Sequence, residues 1–261
     1  MSVPPEDAPQ PTHSTDSGVF LTGEWRHLVM LNYRVDPALL EPYVPAGTTL
    51  DRWQGATYLS VVGFLFHRTR VLGIPVPWHR NFEEVNLRFY VRREVDGEVR
   101  RAVTFISELV PRRAVAALAW FAYNEPYRAL PMRHRIDPPP LAADPAGAPS
   151  RVEYGWRQPS GWSSLMVETS GALQPVAAGS EAEFITEHYW GYTRQRDGGT
   201  VEYRVTHPRW RTSTVGRSML TGNLAELHGA SFGAVLAAPP TSAFFADGSA
   251  IAVHLPRRLR L

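Results

Sequence analysis

The stretch from Glu84 to Val110 constrains the fold of this chain more than any other. Val85, Leu87, Phe89 and Val91 alternate with Glu84, Asn86, Arg88 and Tyr90, which is the period of a strand whose successive side chains leave opposite faces. Asp96-Gly97 follows, a pair that accepts the left-handed backbone of a two-residue hairpin turn. Val99 to Val110 then returns antiparallel. A chain built around this hairpin has to make a sheet.

The remaining pattern agrees. Trp25 to Val35 alternates, with Trp25, His27, Val29, Leu31 and Tyr33 on one face. Asp36-Pro37 supplies an N-cap and a first-turn proline for a short helix. Ala56 to Thr69 reads as a long buried strand. Pro111 opens a helix over Arg112–Tyr123 that Pro126 ends. Further strands are expected near Arg151–Arg157, Trp162–Thr169 and Val201–Thr206, with a capping-box helix at Ser180-Glu181-Ala182-Glu183. Val215 to His228 is ambiguous, with helix as one reading, and Ala230–Ala237 and Ile251–Leu255 read as closing strands. The count is nine or ten strands against two to four short helices. The fold class is α+β and mainly antiparallel β, a sheet curled or doubled on itself with helices outside. Residues 1–18, rich in Pro, Ser, Thr and acid, read as a disordered tail. Residues 19–261 read as a single domain, with the Pro/Ala-rich run Asp137–Ser150 crossing the sheet.

Composition narrows the chemistry. All 27 basic residues are arginine and the chain has no lysine, so no side-chain amine is present to form a Schiff base. It has no cysteine, which removes thiol nucleophiles, disulfides and thiolate metal sites. A net charge of +2 makes no case for nucleic acid. No apolar run approaches the roughly 20 residues of a membrane span, and no signal peptide is visible, so the expected location is the cytoplasm. Phosphate-loop, dinucleotide, zinc-protease and nucleophile-elbow motifs are missing, and neither a cofactor nor a metal is expected. A homo-oligomer is left open.

Several blocks resemble one family. Trp25-Arg26-His27-Leu28, Asn32-Tyr33-Arg34-Val35-Asp36-Pro37, Phe82 to Val91, Val103 to Ser107 and Phe184 to Tyr189 are similar to the DUF2071 (YqjF-like) branch of the acetoacetate decarboxylase-like superfamily. The resemblance implies a cone-like antiparallel barrel around a closed pocket. The founding enzymes of the superfamily decarboxylate β-keto acids through a lysine imine. Their Glu-Pro-Lys-Lys motif is similar to Glu125-Pro126-Tyr127-Arg128, which puts Tyr127 in the imine-forming position and excludes that mechanism.

Glu84, Asn86 and Arg88 share a strand face at about 6.5–7 Å spacing. Arg88 is suited to hold a ligand carboxylate in bidentate fashion, and Glu84 to move a proton if burial raises its pKa. The competing reading is a solvated outer face. Glu108, on the partner strand beside Ala102, Thr104 and Ile106, is the third catalytic candidate; as a structural ion it would pair with Arg88 or Arg112. Arg26 and His27 point to opposite faces, so one faces inward. Arg26, Asn86, Tyr127 and Tyr192 are the candidate substrate contacts, and His27 reads as a core histidine. Glu187 to Trp190 with Tyr192 form an aromatic, titratable cluster suited to lining or covering a pocket, and His79 sits on a loop. The leading expectation is a pocket for a small carbonyl or carboxylate compound, with non-covalent lyase, isomerase or hydratase chemistry. The rivals are a non-catalytic barrel holding an apolar or aromatic ligand, and a partner protein with a vestigial pocket.

Overall fold

The computed structural model describes residues 18–75, 80–112, 124–137 and 149–260. Residues 1–17 of the expected 1–18 tail, the helix beyond Arg112, His79 and most of the Pro/Ala-rich run lie outside the described residues. The strands before that run are β1 (Val19–Val35), β2 (Thr49–Leu50), β3 (Thr57–Val71), β4 (Ile74–Pro75), β5 (Phe82–Val95), β6 (Glu98–Val110), β7 (Tyr127–Ala129) and β8 (Met132–Asp137). After it come β9 (Arg151–Gln158), β10 (Gly161–Pro175), β11 (Trp190–Arg194), β12 (Thr200–Thr206), β13 (Arg211–Thr221), β14 (Ser242–His254) and β15 (Arg257–Arg258). The short helices are α1 (Pro37–Leu40), α2 (Glu181–Thr186), α3 (Leu224–His228) and α4 (Ala230–Leu236).

All strands belong to one sheet. The central hairpin forms as its pattern requires: β5 ends at Val95, β6 begins at Glu98, and Asp96 and Gly97 both take positive φ, 52° and 81°. The order β12-β11-β6-β5-β3-β1-β14 then bends until β12 meets β14 through Val205–Val253 and Thr206–Ala252. These strands form a curled ring. Two pairings in the sheet are parallel, β11 with β6 and β7 with β6. From β14 the sheet continues through β13, β10 and β9 to β8.

Two cores result. Outside the ring, Val29, Leu31, Leu59, Val61, Val85, Leu87 and Phe89 pack with Val152, Tyr154 and Trp156 of β9, with Leu165 and Val167 of β10, and with Phe232 and Leu236 of α4. Inside, Leu28, Met30, Tyr58, Val62, Phe64, Phe66, Phe82 and Tyr90 meet Phe184, Ile185 and Trp210. Strand β5 is thus covered on both faces, so the solvated-face reading of Glu84, Asn86 and Arg88 does not hold; these residues are 3%, 2% and 8% exposed.

Simple alternation fails at two bulges. In β1 the register against β3 slips between Arg26 and Val29, and His27 takes φ 55°. A bulge inserts one residue and reverses the facing of everything beyond it. Trp25 therefore joins the inner group with Leu28, while Val29, Leu31 and Tyr33 face outward. A second slip, between Leu87 and Arg88, leaves Ile106 as the extra residue of β6. Glu108 consequently shares the inner face with Val103 and Phe105, not with Ala102, Thr104 and Ile106.

Two further expectations are corrected near the C-terminal end. In place of the expected strand Ala230–Ala237 stands helix α4 (Ala230–Leu236), with Phe232, Gly233 and Leu236 as its buried residues. Its small apolar residues suit either period, and packing beside α3 selects the helix. The first half of Val215–His228 belongs to β13, and only its end is helical. Both caps read from the sequence are made: Asp36 Oδ1 accepts from Ala38 N at 2.9 Å, and Ser180 Oγ from Glu183 N at 3.1 Å.

Candidate functional site

The ring encloses a cavity of about 130 Å³, similar in size to the ~150 Å³ cavity that accommodates benzene. Three groups of side chains surround it. Carboxyls come from Glu84 of β5, Glu108 of β6 and Glu125, which precedes β7. Arg88 is the lining arginine. The aromatic group is Trp25, Phe64, Phe66, Phe82, Trp210 and His207.

Pairing across the hairpin assembles the first group. Asn86 stands opposite Glu108, and the parallel pairing of β7 with β6 sets Tyr127 beside Glu108. The Tyr127 hydroxyl donates to Glu84 Oε2 at 3.1 Å, and Asn86 Nδ2 donates to Glu84 Oε1 at 3.2 Å. Glu125 Oε1 accepts from Thr193 Oγ1 at 2.8 Å and from the Tyr203 hydroxyl at 2.6 Å. Gly191, the cross-strand partner of Tyr203, makes that last contact possible, because a Cβ there would stand 2.1 Å from the tyrosine ring.

Burial decides the protonation of Glu84 and Glu108. It drives the Glu84 carboxyl up to about 7, against the hydrogen bonds from Asn86 and Tyr127 and with the charge of Glu125 adding to it. Burial, with the charge of Glu125 next, holds Glu108 well above the ordinary carboxylate range. Burying a carboxylate is costly, and the hydrogen bond from Tyr127 does not offset it, so Glu108 keeps its proton. Glu108 Oε2 has no partner, and neither Arg88 nor Arg112 forms an ion pair with it among the described residues. Burial likewise lowers His188 to about 4 and lowers His207, so both line the cavity as neutral rings at pH 7.

Arg88 is the counterpart. Its Nη2 donates to the Ile185 carbonyl at 3.3 Å, its guanidinium lies 5.7 Å from the Tyr90 ring centre, and its Nε has no acceptor. The protein supplies this buried cation with no carboxylate ion pair among the described residues. The imbalance extends around the cavity. Of thirteen buried side-chain polar atoms without a partner among the described residues, six belong to lining residues: Trp25 Nε1, Asn86 Oδ1, Arg88 Nε, Glu108 Oε2 and both His188 nitrogens. Folded proteins satisfy nearly all such atoms, and exceptions gather at functional sites.

The sequence candidates therefore separate. Glu84, Asn86, Arg88, Glu108 and Tyr127 come together around one cavity. Arg26 does not reach it: the β1 bulge turns it outward, where its Nε donates to Glu24 Oε2 at 2.9 Å. Tyr192 also stands apart, giving its hydroxyl to the buried Glu202 at 2.7 Å in the outer core. His27 faces outward too, its ring stacked on Phe245 and its carbonyl accepting from the Tyr154 hydroxyl at 2.8 Å. From the aromatic cluster, His188 and Trp190 line the cavity. Glu125 and the six-ring aromatic wall were not singled out as site residues. Glu125 was legible only through its place before Pro126-Tyr127, and the wall gathers residues from four separate segments, β1, β3, β5 and the loop between β12 and β13. Among the described residues no group of three or more His, Asp or Glu side chains is disposed to hold a metal ion, and no helix is long and apolar enough to cross a membrane.

The fold recurs in proteins of known structure. The enduracididine biosynthesis enzyme MppR, solved with pyruvate, superposes with a TM-score of 0.62 at 14% identity, over 95% of this chain and 93% of that one. Acetoacetate decarboxylase from Legionella pneumophila gives 0.61 at 11% identity, over 97% and 92%. An acetoacetate decarboxylase-like enzyme from Sphingomonas wittichii RW1 gives 0.61 at 13% identity, over 93% and 94%. The fold is acetoacetate decarboxylase-like. The uncharacterized protein YqjF of Bacillus subtilis (strain 168) is 31% identical over 80 residues, 30% of this chain and 33% of that protein's length. The DUF2071 model, described as an uncharacterized conserved protein, matches residues 22–250. The chain belongs to the DUF2071 family.

Proposed function

We propose that this protein binds a small carboxylate-bearing carbonyl compound inside the ring and shifts a proton on it without covalent attachment. The observation that carries the reading is the opposition, in one cavity, of a buried arginine without an ion-pair partner among the described residues and two carboxyls, Glu84 and Glu108, with raised pKa values. Arg88 takes the ligand carboxylate. Glu84, poised near neutrality, is matched to general acid–base work. As carboxylate it removes a proton from the carbon beside the carbonyl. The electron pair moves onto the carbonyl oxygen, which takes the proton held by Glu108. The product is the enol, and reversal returns both protons. Asn86 and Tyr127 orient Glu84, and Glu125 keeps the proton on Glu108. An enol of this kind is common to lyase, isomerase and hydratase reactions. The presence of pyruvate in MppR is in keeping with an oxo acid as ligand.

The test is exchange of the α-protons of pyruvate in deuterated water, followed by proton NMR with the wild type, Glu84→Gln and Arg88→Ala. Acceleration by the wild type that either substitution removes supports the reading. Binding without exchange would instead favour a non-catalytic barrel, for which the aromatic wall is the supporting observation. Binding that survives Arg88→Ala would remove the arginine from its role.

A further inference from the structure

The polar groups account for one side of the cavity and leave the other unexplained. Trp25 lies with its ring centre 5.4 Å from Phe64 and 6.1 Å from Phe66, tilted 59° and 81°. Phe66 stacks on Phe82 at 4.7 Å, and Trp25 meets Trp210 edge-on at 6.1 Å. This is one connected wall, and its members line the same cavity as the carboxyls. Pyruvate has nothing to place against it.

Strand β5 orders the two sides. Its successive inward residues are Phe82, Glu84, Asn86 and Arg88, each about 6.5–7 Å beyond the last. A ligand lying along this row meets an aromatic ring first, then the proton-moving carboxyls, then the cation. The nearly perpendicular rings around Trp25 present faces and edges together, the arrangement in which a further planar ring finds edge-to-face partners. A branched aliphatic group fills such a space without that match.

We infer that the ligand of this cavity is an aryl-substituted oxo acid, with its carboxylate on Arg88, its carbonyl-bearing carbons beside Glu84 and Glu108, and its ring against Trp25, Phe66 and Phe82. The inference rests on the preceding reading of the cavity as an anion and proton site.

Calorimetric titration with pyruvate, 4-methyl-2-oxopentanoate and phenylpyruvate tests it. Phenylpyruvate is expected to bind roughly 10- to 100-fold more tightly than pyruvate, the ratio that burying one aromatic ring produces, and more tightly than the aliphatic acid. Trp25→Leu and Phe82→Leu should reduce that preference to a few-fold by weakening phenylpyruvate far more than pyruvate, and circular dichroism with urea unfolding reports that each variant is folded. Equal affinities for the three acids, an aliphatic acid that matches phenylpyruvate, or a preference that persists in both variants would overturn the aryl assignment alone. Failure of all three acids to bind, or binding indifferent to Arg88→Ala, would overturn the underlying reading as well.

Discussion

The two faces of β5 are built from adjacent residues and follow opposite rules. Outward, Val85, Leu87, Phe89 and Val91 are enclosed by β9, β10 and the short helices, and polar side chains enter this face only beyond that run, at Glu83 and Arg93, each with an ionic partner. Inward, Glu84, Asn86 and Arg88 are buried nearly as deeply, and here Asn86 Oδ1 and Arg88 Nε have no hydrogen-bond partner among the described residues. An unpaired buried polar group costs about 1–3 kcal/mol. A second buried ionic cluster shows what satisfaction looks like. Glu202, fully buried, accepts from Arg100 at 2.9 Å, Arg257 at 2.8 Å and Tyr192 at 2.7 Å, and its carboxyl stays below the ordinary range despite burial because of those partners. One fold thus contains a carboxylate surrounded by arginine and tyrosine donors and, in Glu84 and Glu108, carboxyls with no arginine donor among the described residues. The difference lies in donors, since both sites are buried.

The contrast can be broken by experiment. The largest effect is expected for Glu84→Gln, which should slow oxo-acid proton exchange by roughly 10²–10⁴-fold, the usual contribution of a positioned acid–base group, while denaturant unfolding remains cooperative. Leu87→Ala, on the other face, should cost about 2–5 kcal/mol of stability by cavity formation and leave exchange per folded molecule unchanged. If Leu87→Ala weakened ligand binding at saturating folded protein, the two faces would not be independent.

Acidity sharpens the same point. Glu84 holds its proton more firmly folded, near 7, than unfolded, near 4.5. Its contribution is therefore full below pH 4.5 and lost as pH rises through about 7, at a slope of up to ~1.4 kcal/mol per pH unit in that window. Urea denaturation of the wild type between pH 5 and pH 8 should show this decline, and Glu84→Gln should flatten it. Tyr192→Phe removes one hydrogen bond to a charged acceptor and should cost about 1.5–3 kcal/mol, with ligand affinity intact. The smallest effect is expected for Arg26→Ala: below ~1 kcal/mol, because its pair with Glu24 is partly exposed, and no change in binding. A loss of ligand affinity in either of these last two variants would return that residue to the site.

Much of the site was legible because it lies on one regular strand. The alternation of Glu84, Asn86 and Arg88 is local, and Asp96-Gly97 marks the hairpin that brings Glu108 opposite Asn86. Arg26 and Tyr192 were harder. The bulge at His27 changes facing without a proline or glycine to announce it, and the partner of Tyr192 is Glu202, a residue of the neighbouring strand. The expected count of nine or ten strands fell short partly because β2, β4 and β15 have two residues each, too few to display a period.

By itself the sequence determined that the chain builds a mainly antiparallel sheet, that it has no lysine for an imine, and that a carboxylate, an amide and a guanidinium share a strand face. These follow from side-chain chemistry and from a period of two, which act within a few residues. Tertiary structure alone decided which face is inside, that Glu125 joins Glu84 and Glu108, and that Glu84 titrates near neutrality. Those properties depend on closure of the ring through β12 and β14, which removes water from the carboxyls and brings together residues far apart in the chain.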